Sequence, residues 1–174
     1  GAKLGDIWGF TTIGIAQSQE EMDAHLAKVD QSALGSGWTA GDIMYADLNG
    51  DGVINSGANT VDESGDRKVI GNSTPRYNFG LTLDASWKGL DFSVFFQGIA
   101  KRDYWLSGPY FWGASGGMWQ SAGFTEHWDF WRGADDPLGA NLNAYYPRAS
   151  FDGAKNQYVQ SGYLQNAAYI RMKN

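Results

Sequence analysis

The chain has no cysteine, four prolines and two histidines in 174 residues, and no run of 18 apolar residues. Without cysteine there is no disulfide framework, thiolate nucleophile or thiolate zinc site, and the redox compartment is left undetermined. Without a long apolar run no transmembrane helix can be read. No initiator Met and no signal peptide is present either, so the chain is open to being a processed product or a piece of something longer. Cations are also few: 13 Lys and Arg stand against 19 Asp and Glu, a formal net charge of −6. A phosphate backbone is therefore not the expected partner, because nucleic-acid binding depends on Lys and Arg neutralising phosphates. Binding of a cation fits this balance better.

Glycine and rings are abundant. The 24 glycines are about twice the ordinary share of roughly 7%, and aromatic residues make up 15%. That is the palette of an all-β chain with bends. Residues 5–16 (GDIWGFTTIGIA) mix β-branched and aromatic residues with Gly, as in a strand with bulges or close approaches. Ser18-Gln-Glu-Glu21 sets a capping box before Met22, Leu26 and Val29, which predicts one short helix over about residues 19–29. Residues 39–75 show no sustained periodicity and read as a long loop.

The clearest pattern follows. From Arg76 to Trp87, Tyr77, Phe79, Leu81, Leu83, Ala85 and Trp87 alternate without a miss against Arg76, Asn78, Gly80, Thr82, Asp84 and Ser86. After a three-residue break, Lys88-Gly89-Leu90, the run 91–99 places Phe92, Val94 and Phe96 on one face and Asp91, Ser93 and Gln97 on the other, with Phe95 the exception. This predicts a hairpin with a tight turn. A last strand is expected near 163–173, with Ala168, Ile170 and Met172 opposite Tyr169, Arg171 and Lys173.

Two environments produce such alternation. In a soluble sandwich the apolar face meets a second sheet. In a membrane barrel it meets lipid, over strands of about 9 to 11 residues with aromatic girdles. The connections are asymmetric: one of three residues, then one over about residues 101–162. Short turns on one side and long loops on the other are the barrel arrangement, whereas so long a structureless loop argues against a compact soluble domain.

The segments GDIWGF-TTIGIAQSQEEMD, GDIMYADLNGDGVIN, GDRKVIGNSTPRYNFGLTLDASWKGLDFSVFFQG, NAYYPR and GYLQNAAYIRMKN resemble, in this order and over essentially residues 1–174, the C-terminal part of SusC/RagA-like TonB-dependent outer-membrane transporters. The resemblance implies a segment of a large antiparallel transmembrane β-barrel with long extracellular loops. Such a barrel encloses an N-terminal plug, is driven by TonB, and works with a SusD-like surface lipoprotein to import oligosaccharides or peptides across outer-membrane lipid. Nothing here matches the plug, the TonB box or the remaining strands.

Within residues 39–75, Asp47-Leu-Asn-Gly-Asp-Gly-Val-Ile-Asn55 has the spacing of an EF-hand calcium loop. Positions 1, 3 and 5 are Asp47, Asn49 and Asp51, position 6 is Gly52, and position 7 offers the Val53 carbonyl. Position 12, which should bring a carboxylate, is Ala58. In the resembling family an Asp-Arg pair follows the motif, and here that pair is Asp66-Arg67, with Asp66 twentieth from Asp47. Asp66 is thus the expected closing carboxylate after an insertion of about eight residues, and Asp62 and Glu63 compete with it. Hard oxygen donors favour Ca²⁺. A plain polar turn is the other reading.

Five of the eight Trp, namely Trp105, Trp112, Trp119, Trp128 and Trp131, fall within the 101–162 loop. They are expected either to contact substrate or a lid protein, or to pack the loop on itself. His25 and His127 have no ligand spacing around them. Glu126, Asp129, Asp135 and Asp136 offer carboxylates, but nothing positions a pair for glycoside hydrolysis, so catalysis is not expected. Three classes stay open: a transporter segment, a secreted Ca²⁺-stabilised β domain that binds carbohydrate, and a glycosidase fragment.

Overall fold

The computed structural model describes residues 1–113, 123–151 and 153–173. The regular elements among them are mostly strands, with few helices. In chain order they are β1 (Asp6–Phe10), β2 (Thr12–Ile15), α1 (Gln19–Leu26), β3 (Ile43–Tyr45), β4 (Arg67–Asn72), β5 (Arg76–Trp87), β6 (Leu90–Lys101), β7 (Asp103–Trp105), α2 (Pro109–Trp112), β8 (Leu164–Asn166) and β9 (Tyr169–Met172). All strand pairs are antiparallel: β1 with β4, β2 with β3, β5 with β6, β6 with β9, and β7 with β8. These ladders do not by themselves close a barrel.

The β5–β6 hairpin follows the alternation. Leu81 pairs with Phe96, Leu83 with Val94, Ala85 with Phe92 and Trp87 with Leu90, so the apolar residues of both strands share one face. Thr82 opposite Phe95, Asp84 opposite Ser93 and Ser86 opposite Asp91 share the other. The turn is shorter than the expected three-residue break. Leu90 is already paired, and only Lys88 and Gly89 turn the chain, with φ of 47° and 85°. Two positive φ values in a row suit the right-handed twist of the strands. β9 extends the sheet with Ile170 beside Gly98 and Met172 beside Phe96, which keeps Ile170 and Met172 on the apolar face.

That hairpin has almost no core. Tyr77 is 74% exposed, Trp87 67% and Phe92 60%, while Val94 is buried at 5%. Every residue of β5 is exposed on both faces of the sheet.

The core lies instead at the far end of the strands. β5 begins and β6 ends at the end away from the Lys88-Gly89 turn, where Arg76 pairs with Lys101. The described residues of 16–66 and 106–163, the two long excursions, therefore lie on the parts of the chain that leave the hairpin at the end opposite that turn. They pack on one another around Phe10, Met22, Ile43, Tyr45, Ile54 and Tyr163. The sequence pattern missed much of this body. Residues 39–75 were expected as loop, yet they hold β3 and β4, whose partners are β2 and β1. Likewise β7 and α2 fall inside the expected 101–162 loop. Strands of three to six residues paired to distant segments leave no local period to read.

α1 forms where the capping box placed it. The Ser18 hydroxyl accepts the Glu21 N–H at 3.2 Å, and the Glu21 carboxylate reaches back to the Gln17 N–H at 2.6 Å. The helix stops at Leu26, short of residue 29, where the Lys28 N–H turns to the nearer carbonyl of His25. No helix among the described residues is long and apolar enough to cross a membrane, which leaves strands untested.

Candidate functional site

The Asp47–Asn55 turn is built from side chains that accept their own backbone. Asp47 takes the Gly50 N–H at 2.7 Å on one oxygen and the Gly52 N–H at 2.9 Å on the other. The Asn49 amide oxygen takes the Asp51 N–H at 3.0 Å, and an Asp51 oxygen takes the Val53 N–H at 2.8 Å. Gly50 and Gly52 sit at φ of 77° and 79°, a conformation in which any side chain would be strained. The turn is anchored by Asp30, whose N–H donates to the Gly52 carbonyl and whose carbonyl accepts from Ile54, each at 2.7 Å. Ile54 is fully buried.

Asp66 returns to this turn across the insertion. Its carboxylate is buried and accepts the Leu48 and Asn55 N–H groups, each at 2.8 Å, while its own N–H donates to the Asn55 carbonyl at 2.9 Å. Asp62 and Glu63 stay on the exposed excursion 57–65, held at its base by Arg67, which donates to the Ser56 carbonyl and the Asn59 side chain. The inserted residues are thereby looped out, and Asp66 closes the turn. The Gly52 N–H, joined by Gly50, Asp66 and Asn49, outweighs desolvation and holds Asp47 below the ordinary carboxylate range. Asp47, Asn49, Asp51 and the Val53 carbonyl are oxygen donors carried on one turn, and Asp66 is hydrogen-bonded to its backbone, donor types of the kind a hard cation takes. Among the described residues no three or more His, Cys, Asp or Glu side chains, Asp47, Asp51 and Asp66 included, are grouped so as to hold a metal ion.

The tryptophans divide. Trp105 and Trp112 lie 6.1 Å apart and pack against the core, with Trp112 4.8 Å from Tyr163. Trp131 is half-buried and donates its indole N–H to the Gln17 side chain at 3.1 Å. Trp128 is 59% exposed. Trp119 lies outside the described residues. Trp112 and Trp128 also line a cavity of about 470 Å³ with Phe124, Phe130, Tyr146 and Arg148. His127 borders it too: its Nδ1 accepts the Phe124 N–H at 2.9 Å and its Nε2 faces the Phe111 carbonyl at 3.1 Å. Among the described residues, the acids Glu126, Asp129, Asp135 and Asp136 are not gathered around this cavity as an acid pair.

A further group was not singled out in the sequence. Asp42 is fully buried and holds two cations, Arg148 Nε on one oxygen and Lys155 Nζ on the other, both at 2.8 Å. Asn156 Nδ2 and the Thr39 N–H complete its shell at 2.9 Å each. Lys155 donates further to the Ser36 and Gly37 carbonyls and stands 4.9 Å over the Trp38 ring. Burial disfavours the charged carboxylate, but these donors outweigh it, and the Asp42 pKa lies below its ordinary value. Burial also pushes the Tyr45 and Tyr163 phenols up, so both stay neutral. The side-chain donors to Asp42, namely Arg148, Lys155 and Asn156, are more than a hundred residues away in the chain, and no spacing rule reaches that far.

No protein-family model matches the chain. It is similar to TonB-dependent receptor P26 of Formosa agariphila, with 29% identity over 168 residues, 95% of this chain and 14% of that protein. It is also similar to TonB-dependent receptor P3 of the same organism, with 24% identity over 174 residues, 100% of this chain and 15% of that protein. The chain thus spans a small part of the curated relatives it matches. The resemblance read from the sequence holds at the level of a TonB-dependent receptor fragment.

Proposed function

We propose that the chain is a section of the wall and outer loops of a TonB-dependent importer of the SusC/RagA type, a transporter and not an enzyme, in a bacterial outer membrane. The observation that carries this reading is the β5–β6 hairpin. Apart from Phe95 on the opposite face and buried Val94, its rings and the aliphatic side chains Leu81, Leu83 and Leu90 stand on one face and are largely exposed, as suits a wall between lipid and lumen. The two-residue turn at one end and both long excursions at the other suit periplasmic and extracellular sides respectively. On this reading the substrate is a glycan or peptide, and a SusD-like lipoprotein covers the outer loops. A cysteine at Leu81 or Leu83, labelled with a fluorophore in the full-length protein, should be quenched by nitroxide lipids, and one at Thr82 or Asp84 should not. Equal quenching at all four positions would overturn the assignment. Photo-crosslinking from exposed Trp128 should capture a surface lipoprotein; capture of the receptor alone would remove the lid contact.

We also propose that the Asp47–Asp66 turn binds one Ca²⁺ on the extracellular side, through Asp47, Asn49, Asp51, the Val53 carbonyl and Asp66. When bound, the ion would neutralise carboxylates crowded on one turn and pin the loop. The protein's own part is preorganisation: backbone N–H groups already orient Asp47, Asp51 and Asp66. The insertion is no obstacle, because closure entropy grows only logarithmically and about eight more residues cost under ~1 kcal/mol. Asp51→Ala should abolish calcium binding in calorimetry and raise amide exchange over residues 42–70. A wild-type chain silent at millimolar calcium would sink the proposal.

A further inference from the structure

The 470 Å³ cavity has walls of one chemistry and a floor of another. Its walls carry the rings of Trp112, Phe124, Trp128, Phe130 and Tyr146. Its charged lining residue is Arg148, whose side chain is 28% exposed and whose Nε is fixed on Asp42. Beneath it Lys155 is bound to the other oxygen of the same carboxylate. Among the described residues two cations therefore share one acid, and the further partners of Lys155 are neutral carbonyls. Among the described residues one positive charge is thus left in excess beside an aromatic-walled opening, in a chain whose net charge is −6.

Among the described residues no acid lines the cavity. Asp129 and Glu126 are near enough to raise the Tyr146 phenol, but neither lines the cavity. The Asp129 oxygens are turned to the Asn141 amide and the Tyr145 N–H, at 2.9 and 3.2 Å. Arg132 stands over the outer ring of Phe130 at 4.9 Å, and adds to the positive side. An anion entering here would meet a guanidinium held in place by a buried partner, in a setting where water is partly excluded and charge-assisted bonds are strong. A flat apolar ring would lie against Trp128 and Phe130, whose planes are inclined by 31°.

We propose that this cavity binds a carboxylate carried on a ring, with the ring against Trp128 and Phe130 and the acid toward Arg148. A uronic acid and an aromatic acid share this chemistry. The assignment goes beyond the transport reading and stands on the loop body alone, so its failure would leave the lipid-quenching result untouched.

The test is calorimetric titration of the full-length protein in detergent with glucuronate, phenylacetate, glucose and benzyl alcohol. At least one acid should bind about tenfold or more tightly than its neutral counterpart, the difference expected from one charge-assisted bond. The tighter acid identifies the source. Trp128→Ala, at an exposed ring, should weaken that acid about tenfold while leaving amide exchange at residues 43–45 unchanged. Arg148→Gln should remove the preference for the acid, and Arg148→Lys, which keeps a cation beside Asp42, should retain it. Equal binding of acid and neutral compounds, binding of neither acid, or an unchanged affinity in Trp128→Ala would each overturn the proposal.

Discussion

The loop body and the β5–β6 hairpin bury their side chains in opposite ways. In the loop body, Phe10, Met22, Ile43, Tyr45 and Ile54 are at most 2% exposed, and even charged Asp42 is sealed among its donors. In the hairpin, a longer and more regular apolar face is mostly exposed, with Val94 the buried exception. The regular element is the one without a core. Backbone pairing without a buried face gives a small sheet little stability in water, so on the proposed barrel reading lipid supplies the apolar surround that the chain itself supplies to the loop body. On that reading, one short chain is adapted to two solvents.

The largest effect that should break this comparison lies in the loop body. Lys155→Met removes one cation from buried Asp42, and loss of one partner of a buried pair costs about 3–5 kcal/mol. Amide exchange at Ile43–Tyr45 and residues 155–160 should rise sharply while the β5–β6 amides stay protected. An equal rise in the hairpin would show that the regions do not fold as separate units. Next is the hairpin itself. Leu81→Arg should cost roughly 2 to 4 kcal/mol in lipid and Thr82→Arg much less, because only the first places charge on the lipid face. Denaturant titration in bilayers measures both, and equal costs would erase the distinction between the faces.

Acid provides a gentler contrast. Asp42 and Asp47 titrate below the usual carboxylate value of about 4. Their contribution is therefore complete above that value, where the unfolded carboxylates are ionised, and is lost as pH falls through the folded values. Lowering the pH from about 5 to about 2 should loosen residues 39–66 ahead of the β5–β6 ladder. Exchange measured along that series would show the hairpin loosening first if the comparison is wrong. The smallest effect is at the turn: Gly89→Ala, at φ of 85°, should cost about 1 kcal/mol by straining the left-handed position. It should leave calcium affinity unchanged in calorimetry.

Elements governed by neighbours in the chain were legible in the sequence. The alternation of β5 and β6, the Ser18 cap of α1 and the Asp47–Asn55 turn all follow from residues within a few positions of one another, because a strand period, a cap and a side-chain turn are local geometries. That Asp66, and not Asp62 or Glu63, hydrogen-bonds to the turn took more than spacing to read. The resemblance pointed to it, and only the folded excursion 57–65 brings its carboxylate to Leu48 and Asn55. Tertiary structure alone decided that β3 and β4 exist, that Trp105 and Trp112 turn into the core while Trp128 stays out, and that Asp42 meets Arg148 and Lys155. Those outcomes depend on contacts between segments about thirty to more than a hundred residues apart. Side-chain burial and ion pairing are satisfied by whatever the fold brings near, and no periodicity along the chain records it.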